Sequence, residues 1–171
     1  MRNGYTVLNK AIIILVTILA CVGCDQATKN IVKEKIPRNQ VISLVHDAIR
    51  IQYTENTGAF LSLGDNLSER MRKSLFIYGI GSVLLMIVLW LIMASESTIS
   101  TVVAISVIVG GGVGNMVDRI MYGGYVVDFI NLGLGSLRTG ILNVADLEIF
   151  FGGLLLIFIH EKKRRKSSSL V

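Results

Sequence analysis

Cysteine and histidine are both scarce in this sequence of 171 residues, which contains two of each. Cys21 and Cys24 cannot define a disulfide framework, and they lie in an apolar run, where cysteine usually behaves as a small buried hydrophobe. Their C-V-G-C spacing lacks the βαβ context of a redox motif. His46 is isolated, with no second ligand at a useful spacing, so we predict a surface residue. The sequence therefore predicts neither a metal site nor a bound cofactor.

Charged residues are also sparse: they form 17% of the sequence, whereas 52% of the residues are hydrophobic and the mean hydropathy is +0.63. These values are too high for an ordinary soluble domain, and the apolar residues occur in blocks, which indicates an integral membrane protein. We predict an all-α transmembrane fold, a four-helix membrane bundle that forms one domain over residues 1–171. The predicted spans cover residues 7–27, 74–94, 99–118 and 142–160.

The first apolar run allows two interpretations. Ala11–Cys24 is shorter than a membrane span unless its flanking residues extend it to 7–27, with Lys10 snorkelling to the surface. Arg2, Lys10 and the sequence up to Cys21 also look like the export signal of a bacterial lipoprotein. The three later spans favour a membrane helix, because a mature lipoprotein would rarely carry them.

A strand-rich segment is predicted between the first two spans. Pro37 ends the helical pattern, and the β-branched and mixed residues that follow fit short strands better than a helix. We bound this segment at about residues 38–64 and place it on the membrane surface, because it is too polar for lipid. Asn56–Phe60 predicts a turn in which Gly58 permits an unusual backbone conformation, and Ser68 is a candidate cap for the next helix.

The net charge of +5 does not indicate a nucleic-acid partner. Five basic residues, Lys162–Lys166, follow the last apolar run without interleaved aromatic residues, which favours an anchor on membrane lipid headgroups. Four spans place both termini on one side, and this basic tail indicates that the side is the cytoplasm. The number of basic residues on each side opposes this orientation, since ten Lys or Arg residues lie in the two outer loops and seven at the termini. Folded loops, however, give weak orientation signals.

Three acids, Asp118, Asp128 and Asp146, occur in a stretch between two apolar runs. An ionisable group at the edge of the hydrocarbon is costly and is therefore a functional candidate. We predict that Asp128 and Asp146 meet as a catalytic carboxylate pair at a membrane surface. Gly110 and Gly114, just before these acids, have the small-xxx-small spacing of closely packed membrane helices.

Two charged pairs allow either a structural or a functional interpretation. Asp25 and Lys29 are four residues apart and can pair on one helix face. Taken alone, this segment is more simply explained as a polar helix end at the headgroups. Asp118 and Arg119 could form an intramembrane ion pair that packs two helices; this interpretation does not exclude that they also help to hold the carboxylate pair.

Two carboxylates that share one proton can hydrolyse a peptide bond without a metal ion. Their like charges and a partly dry environment raise the pKa of one of them, so that one acid stays protonated while its partner accepts a proton from water. The protonated member polarises the scissile carbonyl. The sequence leaves open which aspartate takes which role.

Five motifs occur in order along the chain: D-Q-x-T-K at 25–29, N-x-G-A at 56–59, G-G-x-x-G-N-x-x-D-R at 110–119, V-V-D-F at 126–129 and N-x-A-D at 143–146. In this order they resemble the signal peptidase II family, the bacterial lipoprotein signal peptidases. Each motif alone is weak, but the set extends over most of the chain, from Asp25 to Asp146.

The resemblance implies an aspartyl protease of the bacterial inner membrane, with four transmembrane helices and a small β-cradle on the periplasmic face. It implies that the substrate is a prolipoprotein cut just before a cysteine that carries diacylglycerol. We expect a monomer. Asp128 and Asp146 would be the catalytic residues. The implied supporting residues are Asp25, Lys29, Asn56, Gly58, Gly111, Asn115, Asp118, Arg119, Asn143 and Ala145.

Three residues depart from the family pattern. Phe60 replaces the usual alanine and Leu142 the usual phenylalanine, and both affect the expected substrate groove more than the chemistry. Glu148 is a third acid where the family generally has a small or apolar residue. We expect Glu148 to face the headgroups; the alternative is that it perturbs the protonation of the pair.

Two other functions stay open at this point. The chain could be a catalytically altered paralogue, or a non-enzymatic four-helix membrane protein whose acids form an ion or proton path. A conducting path predicts acids near the middle of the spans. Here the acids cluster at one membrane face, which favours chemistry at the interface.

Overall fold

The computed structural model of the chain describes residues 6–58, 67–95 and 97–168. Its helices are α1 (Val7–Lys35), α2 (Glu69–Met93), α3 (Ile99–Met121) and α4 (Val144–Ser168). Its strands are β1 (Val41–Leu44), β2 (Ile49–Asn56), β3 (Val126–Leu134) and β4 (Leu137–Leu142). Among the described residues, three helices are long and apolar enough to cross a membrane: α1, α2 and α3. The fold is therefore helical, with a small antiparallel sheet.

Apolar side chains cover the outer surfaces of the long helices. Leu15 and Leu19 of α1, Leu85 and Leu89 of α2, and Phe158 of α4 are all exposed. Water does not solvate an apolar outer face favourably, so these side chains require lipid around them. The exposed residues thus agree with a multi-pass membrane protein.

Local signals explain where the first two helices begin and end. The Thr6 hydroxyl accepts a hydrogen bond from the Asn9 N–H at 3.2 Å and caps α1. The helix ends just before Pro37, as predicted, because proline disfavours a helical conformation in the residue before it. The Ser68 side chain accepts from the Met71 N–H at 3.4 Å, which confirms the predicted cap of α2.

Glycines in α3 allow its neighbours to approach closely. A Cβ on Gly110 would lie 2.5 Å from the Cβ of Cys21, and one on Gly114 would lie 2.8 Å from Oδ2 of Asp25. Both contacts are with α1, so the small-xxx-small prediction is confirmed. On another side of α3, a Cβ on Gly111 would lie 2.4 Å from a backbone oxygen of α4. Since any side chain would push these helices apart, α3 has a central position.

Lys10 differs from its predicted orientation. Its ammonium group does not snorkel but is buried, and it donates a hydrogen bond to the carbonyl oxygen of Ala94 at the end of α2. The last carbonyls of a helix lack partners within the helix, so this contact satisfies both groups. Lys10 therefore joins α1 to α2 inside the protein.

The sheet has four strands in the order β1-β2-β3-β4, all antiparallel. Thr54 of β2 lies opposite Asp128 of β3. Asn56 follows two residues later on the same face, within reach of Asp128 across the strands. The sheet contacts α1 through a buried cluster of Val32, Ile36 and Phe129. This packing fixes the sheet, and with it Asp128, against the helices.

Residues 122–142 differ from the sequence-based prediction, which placed strands only in the segment at 38–64. They form the β3–β4 hairpin, entered through Gly123 and Gly124, whose φ values of +72° and +115° favour glycine. The sequence does not alternate clearly because most of β3 is buried, including the polar residues Asp128 and Asn131. The segment predicted at 38–64 contains β1 and β2, and its residues 59–64 lie outside the described residues.

Candidate active site

Asp128 lies near the start of β3 and is only 3% exposed. Its Oδ2 accepts a hydrogen bond from Nδ2 of Asn56 at 2.9 Å, and its Oδ1 accepts one from Nδ2 of Asn143 at 2.6 Å. Burial, together with the charge of Asp146, raises the pKa of the Asp128 carboxyl to about 6, although the hydrogen bonds from the two amide donors oppose the shift. Asp128 therefore keeps its proton to a higher pH than an exposed aspartate does.

Asp146 lies in the first turn of α4, where it forms a reciprocal cap with Asn143. The Asp146 N–H donates to Oδ1 of Asn143 at 2.9 Å, and the Asn143 N–H donates to Oδ2 of Asp146 at 3.1 Å. This is the geometry of a capping box, in which two otherwise unpaired backbone donors are satisfied. The N-x-A-D motif thus starts a helix and orients a carboxylate at the same time.

Asn143 connects the two carboxylates. Its Nδ2 donates hydrogen bonds to Asp128 and, at 3.0 Å, to Oδ1 of Asn115. Its backbone N–H and its side-chain oxygen form the two hydrogen bonds with Asp146 described above. Nδ2 of Asn115 donates in turn to Oδ1 of Asp146 at 3.0 Å. Each of the four carboxylate oxygens accepts an amide N–H, so both side chains are held in fixed orientations.

Lys29 forms the centre of a buried charge cluster behind these asparagines. Its ammonium nitrogen lies 2.7 Å from Oδ2 of Asp25 and 3.0 Å from Oδ2 of Asp118, and all three side chains are at most 1% exposed. A third hydrogen bond runs from Nζ to Oδ1 of Asn115 at 3.1 Å. Since Oδ1 accepts from Lys29, the amide NH₂ of Asn115 must point to Asp146.

Asp25 and Asp118 also hold the backbone around the site. Oδ1 of Asp25 accepts from the Ala145 N–H at 3.0 Å, in the first turn of α4. Oδ2 of Asp118 accepts from the Val127 N–H at 3.0 Å, next to Asp128 in β3. The charge cluster therefore positions both segments that carry the aspartate pair.

Arg119 fixes the end of β2 to α3. Its Nη2 donates to the carbonyl oxygen of Gly58 at 2.9 Å, and its guanidinium carbon lies 5.1 Å from the centre of the Phe76 ring. The Gly58 N–H donates to Oδ1 of Asn56 at 3.0 Å, which orients the amide that contacts Asp128. Nε of Arg119 is buried and has no hydrogen-bond acceptor within the described part of the chain.

A cleft of about 200 Å³ opens beside the aspartate pair. Apolar side chains from α2, α3, β4 and α4 form much of its wall, and Phe76 reaches it from a π-helical stretch of α2 (Ser74–Gly79). Its lining includes Asn56, Phe76, Ile80, Asn115, Met116, Arg119, Asp128, Ile141, Leu142, Asn143, Asp146 and Ile149. The cleft thus combines an apolar surface with two acids and several amide groups.

Comparison with known proteins decides the family. The family model described as Signal peptidase (SPase) II matches residues 17–161, which is most of the chain. The chain belongs to the signal peptidase II family. It is a signal peptidase by family, and its several apolar helices agree with a multi-pass membrane protein.

Curated relatives and solved structures support the same family. Lipoprotein signal peptidase from Streptococcus thermophilus is 33% identical, over 92% of this chain and 98% of its own length. The protein of the same name from Chlorobium phaeobacteroides is 33% identical, over 80% of this chain and 82% of its own. A solved bacterial membrane enzyme structure has a TM-score of 0.75 at 26% identity, covering 96% of this chain and 94% of that one. A second has a TM-score of 0.74 at 27% identity, covering 85% and 90%.

The structure brings the residues implied by the signal peptidase II resemblance into one connected region. Asp128 and Asp146 lie at the cleft, and the remaining members surround them through the hydrogen bonds and helix contacts given above. These members are Asp25, Lys29, Asn56, Gly58, Gly111, Asn115, Asp118, Arg119, Asn143 and Ala145. Leu142 lines the cleft, whereas Phe60 and Ala59 lie outside the described residues.

Two of the charged-pair interpretations are wrong. Asp118 forms its ion pair with Lys29 of α1, whereas Arg119 donates to backbone carbonyls, so these neighbours are not an ion pair with one another. Asp25 and Lys29 do pair, but both are buried, which excludes a polar helix end at the headgroups. Sequence spacing could show only the Asp25–Lys29 contact within α1, because Asp118, the second partner of Lys29, is distant along the chain.

Glu148 also differs from expectation. Its carboxyl group faces the Cys21 thiol of α1 instead of the headgroups, and its Oε2 is buried without a hydrogen-bond partner among the described residues. It therefore lies on the α1 side of α4, away from the residues that line the cleft.

Sequence reasoning missed Gln26, Phe76 and Ile80. Nε2 of Gln26 donates to Oδ1 of Asp118 at 2.6 Å and so extends the charge cluster, while Phe76 and Ile80 line the cleft. Gln26 stands inside the D-Q-x-T-K motif, so its position was a usable signal. Phe76 and Ile80 lie in an apolar run in which no pattern marks the residues that face the cleft.

Proposed function

We propose that this protein is a membrane aspartyl endopeptidase. It removes the signal peptide from diacylglyceryl-modified prolipoproteins, cutting the bond before the lipidated cysteine. Membership of the signal peptidase II family and relatives named lipoprotein signal peptidase support the substrate. The observation that carries the aspartyl mechanism is Asn143, which joins Asp128 and Asp146 at the edge of the cleft.

The two carboxylates take different roles in this mechanism. Asp128 is buried and its pKa is raised to about 6, so it supplies the protonated acid. With Asp128 as the acid, Asp146 in the first turn of α4 supplies the base. This division assigns one proton to the pair, as peptide hydrolysis by two aspartates requires.

Hydrolysis then follows a balanced sequence of proton transfers. Asp146 takes a proton from water as the water oxygen bonds to the scissile carbonyl carbon, and Asp128 donates its proton to the carbonyl oxygen. The tetrahedral intermediate collapses when the C–N bond breaks. The proton held by Asp146 passes to the leaving nitrogen, and Asp128 regains its own. The products are a signal peptide with a new carboxyl end and a cysteine with a free amine.

The cleft provides contacts for an extended peptide. Its apolar wall, including Phe76 and Ile80, suits the apolar core of a signal peptide. The buried Nε–H of Arg119 has no acceptor within the described residues, and a backbone carbonyl of the substrate would satisfy it. The supporting residues thus hold the carboxylates and the peptide, and no role is assigned to a metal ion or cofactor.

The proposal includes a four-helix topology in the bacterial inner membrane. We assign α4 as the fourth span because Phe150, Leu154 and Phe158 are exposed along it, while Asp146 faces the cleft and Glu148 faces α1. The site and the sheet lie at one end of the helices, and the basic tail lies at the other. With the tail and both termini in the cytoplasm, the cleft opens at the outer face. The expected working form is a monomer.

Mass analysis of the product tests this function. The purified protein, in detergent with added phospholipid, is incubated with a diacylglyceryl prolipoprotein and with the same polypeptide lacking the diacylglyceryl group. We expect a single cut before the lipidated cysteine and much slower cleavage of the unmodified chain. No cleavage by a folded protein, or cleavage at another bond, would contradict the proposal.

A further inference from the structure

A second contact between α1 and α4 lies one helical turn further from the sheet than the charge cluster. At the cluster, the Ala145 N–H of α4 donates to Oδ1 of Asp25 of α1 at 3.0 Å. α1 runs towards the sheet and α4 runs away from it. One turn further from the sheet, therefore, Cys21 on α1 comes level with Glu148 on α4. The Glu148 carboxyl group faces the Cys21 thiol there. We call these two side chains the thiol–carboxyl pair.

The thiol–carboxyl pair is enclosed by its neighbours. α3 packs against Cys21 so closely that a Cβ on Gly110 would lie 2.5 Å from the Cβ of Cys21 and 3.2 Å from its Sγ. Asp25 and Lys29 are the charged groups of α1 that act on Glu148, and they lie on the side of the pair towards the site. Oε2 of Glu148 is buried and has no hydrogen-bond partner in the described ranges 6–58, 67–95 and 97–168. The carboxyl group is thus held between α1 and α4 with one oxygen unsatisfied.

This arrangement adds little to stability. A buried polar atom without a partner raises the free energy of the folded state, and a thiol is a weak hydrogen-bond donor. An apolar side chain of the same length at position 148 would therefore be tolerated at least as well. A buried polar group that does not stabilise the fold can still fix how two helices are oriented against each other. Glu148 is the only polar side chain of α4 between Asp146 and His160, so it alone can act in this way along the apolar part of the helix.

We propose that Glu148 is a positioning residue for Asp146, and that its hydrogen bond with the Cys21 thiol fixes the rotation of α4 about its own axis. The contact between Asp25 and Ala145 holds the first turn of α4 at one point, and a second contact one turn further on prevents the helix from turning about that point. Glu148 projects about 200° round the helix from Asp146, so a contact on the α1 side sets the direction in which Asp146 faces the cleft. Glu148 does not line the cleft and touches no reacting atom. The inference rests on the proposed aspartyl mechanism.

Kinetics of prolipoprotein cleavage by Glu148→Met, combined with thermal unfolding, test the proposal. Methionine keeps the length of the side chain but removes its polar atoms. We expect kcat to fall at least about tenfold, because a small misplacement of a catalytic group is costly, while KM stays within about twofold because the cleft wall is unchanged. The unfolding midpoint should stay the same or rise. Glu148→Gln keeps a hydrogen-bonding group and should retain the wild-type kcat. The control Cys24→Ala, at an exposed position one turn along α1, should change neither kcat nor the midpoint.

The two members of the pair are expected to act as one unit. Cys21→Ala should lower kcat as much as Glu148→Met, the double variant should lower it no further, and Cys21→Ser, which keeps a donor, should restore most of the rate. A wild-type kcat in Glu148→Met would overturn the proposal. So would a fall in kcat accompanied by a lower midpoint, which would show a merely structural role. Equal losses in Glu148→Gln and Glu148→Met would show that the charge acts on the site instead of the contact, and would overturn it as well.

Infrared spectroscopy of the Cys21 thiol tests the contact without any substrate. In a Cys24→Ser background, Cys21 is the one thiol of the protein, and a hydrogen bond lowers the frequency of its S–H stretching band. We expect this band at a lower frequency with Glu148 or with Glu148→Gln than with Glu148→Met. An identical band in all three proteins would show that the hydrogen bond does not form and would overturn the proposal, whether or not the protein cleaves prolipoprotein. A wild-type protein that shows the shifted band but no cleavage would contradict the proposed function instead.

Discussion

Replacing Lys29 by methionine is expected to destabilise the protein strongly. The ammonium group is the only cation in contact with Asp25 and Asp118 among the described ion pairs, at 2.7 Å and 3.0 Å. Methionine preserves the length of the side chain but leaves two carboxylates buried beside one another without a counter-charge. Removing one partner of a buried ion pair typically costs about 3–5 kcal/mol. For a chain of this length the expected fall in the unfolding midpoint is about 10 °C.

Labelling of Cys21 provides the assay. Cys21 is buried and Cys24 is exposed, so a Cys24→Ser background leaves Cys21 as the thiol that a maleimide dye reaches only on unfolding. Lys35→Met, at an exposed position on the same helix, is the matched control, and we expect it to stay within about 2 °C of the background protein. Adding Asp118→Asn to Lys29→Met should restore part of the loss, because it removes one unpaired charge. If Lys29→Met unfolds at the same temperature as Lys35→Met, the buried cluster does not stabilise the site.

Three further outcomes follow from the site and the helix contacts. The kcat/KM for prolipoprotein cleavage should fall about tenfold per pH unit above about pH 6, because Asp128, whose pKa is raised to about 6, loses its proton in that range. A flat pH profile from pH 5 to 8 would contradict the role of Asp128 as the acid. Asn143→Ala should lower kcat at least about 100-fold and the stability by about 1 kcal/mol through loss of the cap, measured by single-turnover kinetics and thermal unfolding. Gly111→Ala should destabilise the protein by about 1–3 kcal/mol, because its Cβ would lie 2.4 Å from the backbone oxygen of Ala145. Gly153→Ala has open space around it and should be neutral or slightly stabilising. Equal thermal unfolding midpoints for the two variants would exclude close packing at Gly111.

Local sequence signals predicted much of the helical structure. Apolar runs marked α1, α2 and α3, Pro37 marked the end of α1, and Ser68 marked the start of α2. These features depend on residues close together in the chain, so spacing and composition are sufficient. The capping geometry of Asn143 and Asp146 belongs to the same class, since its two members are three residues apart.

Contacts between distant segments could not be predicted in this way. Lys29 contacts Asp118 because the glycines of α3 allow α1 to pack closely against α3. Glu148 faces Cys21 because α4 packs beside α1. The β3–β4 hairpin was missed because β3 is buried on both faces and carries Asp128 in its interior, which removes the usual alternation. The positions of the implied site residues came from the family resemblance, while the structure supplied their partners.

The central claim is that Asp128 and Asp146 are the two groups that hydrolyse the substrate. Its most direct test is the single-turnover rate of prolipoprotein cleavage by Asp128→Asn and by Asp146→Asn, with Asp47→Asn as a control. Asp47 is a partly exposed residue in the β1–β2 turn with a φ of +69°, a conformation that asparagine accepts readily. We predict a loss of at least about 1,000-fold in each of the first two variants and a rate close to wild type in the third. A folded Asp128→Asn or Asp146→Asn protein that cleaves at the wild-type rate would contradict the account.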